Sequence, residues 1–269
     1  MVTLEAILER NNLNRAYKQV KANRGGPGVD GMTVDEFLDY LRAHAVEIVE
    51  TVKAGKYKPQ PVRRVMIPKE EKGKFRPLGI PTAVDRVIQQ AIAQKLSDEY
   101  EPVFSLHSHG FRPCRSCRTA IDEALDIANQ GYVWVVDLDL SKFFDTVNHS
   151  KLLQLLSDKL KDGRVVSLIH KILRAPIQEG DKITPCEIGT PQGGPVSPVL
   201  ANIMLSLTVS RANPRKSHAI ALLDDKVAWE WANTRKSYWH TANSWILSPS
   251  LTNGRLRELG WTCLGDVYK

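Results

Sequence analysis

The chain has 269 residues, of which 42% are hydrophobic and 25% charged, so it can form a hydrophobic core and lacks the composition of a disordered chain. A formal net charge of +7 favours a polyanionic partner, although charge alone does not choose between nucleic acid and a membrane surface. There is no long apolar run, no signal-peptide pattern and only four sparse cysteines, which predicts a cytoplasmic protein with no membrane span.

The first hundred residues predict three helices and one β-hairpin. Apolar residues recur at helical spacing over 3–22, and a glycine-rich loop follows at 24–31. Thr33, with Glu36 three residues later, predicts the start of a second helix that runs to about residue 54. Strands are expected at 63–68 and 75–80, joined by a turn at 69–73, and the third helix at 85–100.

The rest of the chain predicts a buried strand followed by helices. Residues 132–140 form a nearly continuous β-branched and aromatic run, which is typical of a buried strand. The elements expected after it are helices at 149–157 and 164–173, a hairpin up to 188, a Pro/Gly turn at 191–198 and a helix at 197–207. Five of the six Trp lie in the last 41 residues, so we expect a junction or a domain linker near 205–214.

The segment 53–76 contains nine basic residues and only two acidic ones. A solvated surface would have this composition too. The interspersed prolines and the aromatics Tyr57 and Phe75 favour a nucleic-acid groove, which would include Arg63 and Arg64.

A zinc site is the weaker alternative for four residues that lie within eleven positions of each other, namely His107, His109, Cys114 and Cys117. Their spacing matches no zinc finger, and a tight turn is expected at 110–113. The sequence therefore does not favour zinc.

Two acidic residues end the predicted buried strand. Asp137 and Asp139 are two positions apart, so they share one face of the strand. Such a pair suits Mg²⁺, which prefers hard oxygen ligands. An aspartate that ends a strand and caps the next turn would give the same pattern, so this segment alone leaves both interpretations open.

Three other segments carry candidate binding residues. The turn at 189–198 is rigid and closely approachable, with Gln192 near its centre, although an ordinary connector is the alternative. Lys69 and Arg76 flank the hairpin turn, where they could clamp a triphosphate. The segment 109–113 offers an arginine beside an aromatic ring.

Taken in this order, the motifs resemble the reverse-transcriptase domain of the group II intron-encoded reverse transcriptase/maturase family of bacteria. They are Arg-Pro-Leu-Gly-Ile-Pro (76–81), Gly-Phe-Arg-Pro (110–113), Asp-x-x-x-x-Phe-Asp (139–145) and Thr-Pro-Gln-Gly-Gly-Pro-x-Ser-Pro (190–198). The resemblance covers about 1–205, and the Trp-rich segment 228–248 is similar to the extreme C-terminus of maturases.

This resemblance implies an α+β fold: right-hand polymerase fingers and a partial palm, with an antiparallel sheet and helices, and a short helical tail. It divides the chain into an N-terminal helical extension (1–56), fingers and partial palm (57–208) and a basic, Trp-rich maturase segment (209–269).

The resemblance also implies a role for each matching residue. Asp139 falls on the first catalytic aspartate, a ligand of both Mg²⁺ ions in two-metal phosphoryl transfer. Phe144 falls on the gate that crowds a 2′-hydroxyl, and Gln192 on the turn that packs against the nascent base pair. The other matches are Lys69 and Arg76 for the incoming triphosphate, and Arg63, Arg64, Arg112, Arg235, Lys236 and Trp239 for RNA or template.

One family element has no clear counterpart, the Tyr/Phe-x-Asp-Asp hairpin that supplies the second metal ligand. The chain's one Asp-Asp pair, Asp224 and Asp225, runs straight into a stretch that looks helical and lies four residues before the maturase-like tail. We therefore expect an internal deletion of the rest of the palm, the thumb and most of the maturase region. Metal binding by Asp224 or Asp225 is the alternative.

The implied activity is RNA-templated DNA synthesis with Mg²⁺, together with intron RNA binding for splicing and mobility. The implied partners are intron RNA, an RNA template with a DNA primer, and deoxynucleoside triphosphates, in the nucleoid region of a bacterium. Because a ligand of the metal pair is missing, we expect impaired polymerase activity. The alternatives are a catalytically inactive intron-RNA-binding remnant and a product with no selected function.

Overall fold

The computed structural model describes residues 2–68, 73–131, 135–137, 143–190, 193–212 and 244–246. Its helices are α1 (Leu4–Ile7), α2 (Arg10–Ala22), α3 (Phe37–Lys53), α4 (Ala83–Tyr100), α5 (Cys117–Asn129), α6 (Phe143–Thr146), α7 (His149–Lys159), α8 (Gly163–Leu173) and α9 (Ser197–Ala212). Its strands are β1 (Val62–Pro68), β2 (Phe75–Ile80), β3 (Val135–Asp137), β4 (Ile177–Glu179), β5 (Lys182–Thr184) and β6 (Ser244–Ile246). None of the described helices is long and apolar enough to cross a membrane.

The chain folds as two compact units, and each is discontinuous in sequence. The first contains residues 1–103 and 143–204, and the second contains residues 104–142 and 205–269. The functional division predicted at 56/57 and 208/209 stays a prediction.

The N-terminal segment forms two helices where the sequence predicted one over 3–22, and the break lies at Leu8 and Glu9. A buried amide stabilises this break. Asn12 Nδ2 donates to the Ile7 carbonyl (2.8 Å), which ends α1, and to the Ala91 carbonyl of α4 (3.0 Å). The apolar spacing continues across the break, so spacing alone could not reveal it.

The capping-box pair predicted at Thr33 and Glu36 is confirmed, although the N-cap of the helix is Glu36 and not Thr33. Glu36 Oε2 accepts from the Thr33 backbone N–H (2.9 Å), and Thr33 Oγ1 accepts from the Glu36 N–H (3.3 Å). This reciprocal pair satisfies two donors at the entry to α3, whose regular turns begin at Phe37.

The predicted hairpin is confirmed and forms part of a larger sheet. β1 and β2 are antiparallel, with Arg63 opposite Ile80 and Pro68 opposite Phe75. β4 joins the other edge of β1 in parallel, and β5 pairs antiparallel with β4, so the strand order is β2-β1-β4-β5. The parallel pairing brings together residues more than a hundred positions apart, which the sequence pattern did not predict.

Helix α4 forms the core of the first unit. Thr82 caps its N-terminus, and the side chains of Ile92, Leu96 and Tyr100 are fully buried. Helix α2 packs along α4, with Ala16 and Val20 buried. The sequence prediction of a helix over 85–100 is thus confirmed.

In the second unit, the structure has a helix, α5, that the sequence did not predict. Ser116 and Thr119 form a reciprocal capping box at the start of α5, a local signal that could have identified the helix. Of the predicted strand 132–140, the structure describes Val135–Asp137, which pairs antiparallel with β6.

The helices predicted at 149–157, 164–173 and 197–207 are confirmed, and the last extends to Ala212.

Candidate nucleotide and nucleic-acid site

The hairpin of β1 and β2 presents one of the two predicted triphosphate ligands. Arg76 is exposed on β2 and stands opposite Ile67, close to the hairpin end. Lys69 and the rest of the tip, 69–72, lie outside the described residues. Arg63 and Arg64 are neighbours in β1 and therefore point to opposite faces of the sheet.

These two arginines differ in their surroundings. Arg64 lies 3.7 Å from the Glu179 carboxylate of β4, a half-exposed contact that contributes little stability. Arg63 Nε is buried and meets no hydrogen-bond acceptor among the residues that the structure describes. Of these two arginines, Arg63 therefore has a buried N–H group that is available to a bound ligand.

A second arginine with unused donors lies in α4. Arg86 is 7% exposed, and both its Nε and its Nη2 are buried without an acceptor in the described part of the chain. Burial lowers the pKa of Arg86, an effect that the nearby carboxylate of Asp30 opposes. No sequence motif marks Arg86, because its burial depends on the tertiary fold.

Both arginines lie beside the glycine-rich loop. A Cβ at Gly25 would collide with Arg86 Nη1, and one at Gly26 would lie 3.7 Å from Arg63 Nη2. We call Gly25, Gly26, Arg63 and Arg86 the arginine cluster. Buried donors of positive charge without acceptors favour an anion such as a phosphate group.

The turn that contains Gln192 is packed on one side against α6. Gly189 donates its N–H to the Val147 carbonyl (2.8 Å), and Thr190 donates to the Phe144 carbonyl (2.6 Å). Gly189 has φ of +87°, and a Cβ there would lie 2.9 Å from the Phe144 carbonyl oxygen. Only glycine permits both this backbone conformation and this approach.

On its other side, the same turn packs against β2 and α4. Gly193, with φ of +117°, touches the Gly79 carbonyl of β2 so closely that a Cβ would overlap it. A Cβ at Gly194 would lie 2.5 Å from Gln89 Oε1 of α4. The turn therefore packs between the segment that carries Phe144 and the strand that carries Arg76. We call residues 189–194 the wedged turn. Gln192 itself lies outside the described residues.

The predicted metal ligands are not among the described residues. Asp139, Asp224 and Asp225 all lie outside them, as do the tail residues Arg235, Lys236 and Trp239. In the described ranges, no three His, Cys, Asp or Glu side chains converge in a way that could hold a metal ion.

Arg112 was predicted on the template side, and the structure gives it internal partners. It is 8% exposed, and its Nη1 donates to the carbonyls of Ser105 (2.5 Å) and Ser108 (2.9 Å). Its guanidinium also lies 5.4 Å from the centre of the Phe104 ring. These contacts stabilise the loop that follows Phe104, and the template role of Arg112 stays a prediction.

The two histidines of the weak zinc alternative bind a carboxylate instead. His107 Nδ1 and His109 Nε2 each contact one oxygen of Glu123 on α5. Burial opposes ionisation of Glu123, but the hydrogen bonds from both histidines outweigh it and lower its pKa. Cys114 and Cys117 are exposed free thiols.

Comparison with known proteins identifies a family. The family model for reverse transcriptase (RNA-dependent DNA polymerase) matches residues 67–229. The group II intron-encoded protein LtrA of Lactococcus lactis subsp. cremoris is 41% identical over 190 residues, which cover 71% of this chain and 31% of that protein. The chain thus spans about a third of that relative's length.

Two further matches extend this result. Protein YkfC of Escherichia coli K12 is 34% identical over 263 residues, covering 95% of this chain and 68% of that protein. A chain of the partial Cas6-RT-Cas1–Cas2 complex has a similar fold, with a TM-score of 0.52 at 24% identity over 77% of this chain and 34% of that one. The chain belongs to the reverse transcriptase family, and within it to the group II intron-encoded reverse transcriptases and maturases.

Proposed function

We propose that this chain binds an RNA template with a DNA primer and a deoxynucleoside triphosphate, and that its RNA-templated DNA synthesis is strongly impaired. The wedged turn carries the proposal. Through Gly189 and Gly193 it brings the Phe144 segment and the Arg76 strand to one place, as selection of a nucleotide requires. Arg76, with Lys69, would hold the triphosphate, and the Phe144 ring would crowd a 2′-hydroxyl.

Mg²⁺ would bind at Asp139, whose carboxylate oxygens suit a hard cation. Bound there, the metal would neutralise charge on the reacting phosphates. If Asp139 is the single carboxylate at the site, two Mg²⁺ ions would share one protein ligand and lack the second. Losing a principal ligand from a transition-state clamp costs several kcal/mol, or orders of magnitude in rate, and this is why we propose impairment.

A second candidate is an active polymerase that uses Asp224 or Asp225 as the other metal ligand. The family match favours this candidate, because it runs to residue 229 and so includes both aspartates.

Primer extension on an RNA template with Mg²⁺ separates the two. If polymerase activity is impaired, the rate of primer extension by the wild-type chain stays within about tenfold of the rate of the Asp139→Ala variant. Extension at least a hundredfold above that variant would contradict impairment. The second candidate would hold if primer extension were also abolished in Asp224→Ala. The control is Arg42→Gln, an exposed substitution on α3, which should leave primer extension unchanged.

RNA binding by the arginine cluster is tested without catalysis. Replacing Arg86 with methionine removes the free donors, so we expect weaker RNA binding and a log–log salt slope reduced by about one. Because an unpaired buried charge is also removed, the melting temperature should stay level or rise. A gel-shift titration at several salt concentrations measures the first effect, and thermal unfolding the second.

The matched control is Arg42→Gln, on an exposed guanidinium with an Asp39 partner. If RNA affinity and its salt dependence are unchanged in Arg86→Met, the arginine cluster is not part of the RNA-binding surface. A large loss of stability would instead give Arg86 a structural role.

A further inference from the structure

One buried side chain near the wedged turn has no part in the roles assigned above. His149, the first residue of α7, is 7% exposed, and its Nε2 lies 2.6 Å from the Gly189 carbonyl oxygen. A carbonyl oxygen can only accept, so Nε2 carries the proton and donates it. Asn148, the residue before it, accepts a hydrogen bond from the Lys151 N–H (3.0 Å) and so caps α7, which fixes where the helix starts.

His149 makes one of three hydrogen bonds that join the backbone of residues 189–190 to the segment 144–149. Gly189 is held through both of its backbone groups, its N–H by the Val147 carbonyl and its carbonyl by His149. Thr190 adds the third hydrogen bond, to the Phe144 carbonyl (2.6 Å). Of the three bonds, the one from His149 is made by a side chain, so substitution can remove it while leaving the backbone intact.

We infer that His149 is a positioning residue that sets sugar specificity at the proposed nucleotide site. It holds Gly189 against the α6 segment and thereby sets the spacing between the Gly189–Thr190 backbone and the segment that carries the Phe144 ring. A nucleotide between them is accepted or rejected by that spacing, because displacement by about 1 Å can change reaction rates a hundredfold. The inference rests on the proposed function.

Three variants test it. His149→Phe keeps an aromatic ring, somewhat larger than imidazole, but removes the donor, so the buried Gly189 carbonyl loses its partner. His149→Gln returns an N–H donor at similar reach. His44→Phe makes the same change on the exposed face of α3, where the ring pairs with Glu47.

The measurement is the affinity of the full chain, bound to an RNA–DNA primer-template, for dGTP and for GTP opposite a template cytosine, by fluorescence titration. This readout does not depend on catalysis. In His149→Phe we expect dGTP to bind about tenfold more weakly, with the dGTP/GTP ratio falling toward one. His149→Gln should restore most of the ratio, and His44→Phe should match wild type.

The outcomes separate this inference from the proposed function. If wild type binds neither nucleotide, both are overturned. If wild type discriminates and His149→Phe retains the same ratio, or if Gln and Phe lower it equally, His149 is structural and the inference fails alone. Melting temperatures of all variants show whether an affinity loss is merely unfolding.

Discussion

At the scale of single residues, Asp162 joins the start of the chain to helix α8. Its carboxylate accepts from the Leu4 N–H (2.9 Å) and from the Arg164 N–H (3.0 Å), Nε (3.0 Å) and Nη2 (2.8 Å). The hydrogen bonds from the Arg164 side chain, more than any other contact, lower the pKa of Asp162 to about 2. The ionised form is therefore favoured in the folded state.

This pKa predicts a loss of stability in acid. Because the folded pKa lies below the ordinary 3.8, the stabilisation is present above about pH 4 and is lost as pH falls toward 2. Asp162→Asn should lower the free energy of unfolding by about 1–2 kcal/mol at pH 7 and by less at pH 2.5. Urea unfolding at both pH values measures this.

Asp98→Asn is the control, since that exposed carboxylate lies 3.9 Å from its Arg15 partner and should contribute little at either pH. An Asp162→Asn effect of equal size at pH 7 and pH 2.5 would contradict the assigned pKa.

At the scale of elements, the wedged turn depends on glycine at position 193. Gly193→Ala would combine a left-handed φ with overlap on the Gly79 carbonyl, a backbone atom that cannot rotate away. We expect about 2–4 kcal/mol of destabilisation and at least tenfold weaker triphosphate binding.

Gly180→Ala is a close control for this change. Gly180, in the turn between β4 and β5, also has positive φ (+59°), but nothing lies within 4 Å of a Cβ there. It should cost about 1–2 kcal/mol and leave triphosphate affinity unchanged. Equal losses of affinity in the two variants would show that the contact with Gly79 is unimportant.

Elements with a local cause could be predicted from the sequence, as the hairpin, α4, α7 and α8 show. The break between α1 and α2 could not, because the Asn12 amide that stabilises it bonds to Ala91, far along the chain. In the candidate site, the motifs singled out Arg76 and the turn at 189–198 but not Arg86 or His149. The burial of Arg86 and the hydrogen bond of His149 to Gly189 arise only in the tertiary fold.

At the scale of the whole molecule, the C-terminal segment covers an edge of the strand that leads toward Asp139. β6 pairs with β3, placing Ser244 opposite Asp137. A chain that ends after Ala212 would expose that edge, so we predict self-association. Light scattering during concentration measures it, and a chain that ends at residue 250, which keeps β6, is the control. A monomeric 212-residue chain would contradict the prediction.

The parallel pairing of β1 with β4 has a consequence for biosynthesis. Val62 leaves the ribosome 115 residues before its partner Ile177, a delay of roughly 6–23 s at ordinary elongation rates. During that time the edge of the nascent hairpin has no neighbour, and residues 104–142, which belong to the other unit, are synthesised in between. The nascent chain is thus most open to wrong strand pairing midway through translation, when a chaperone would matter most.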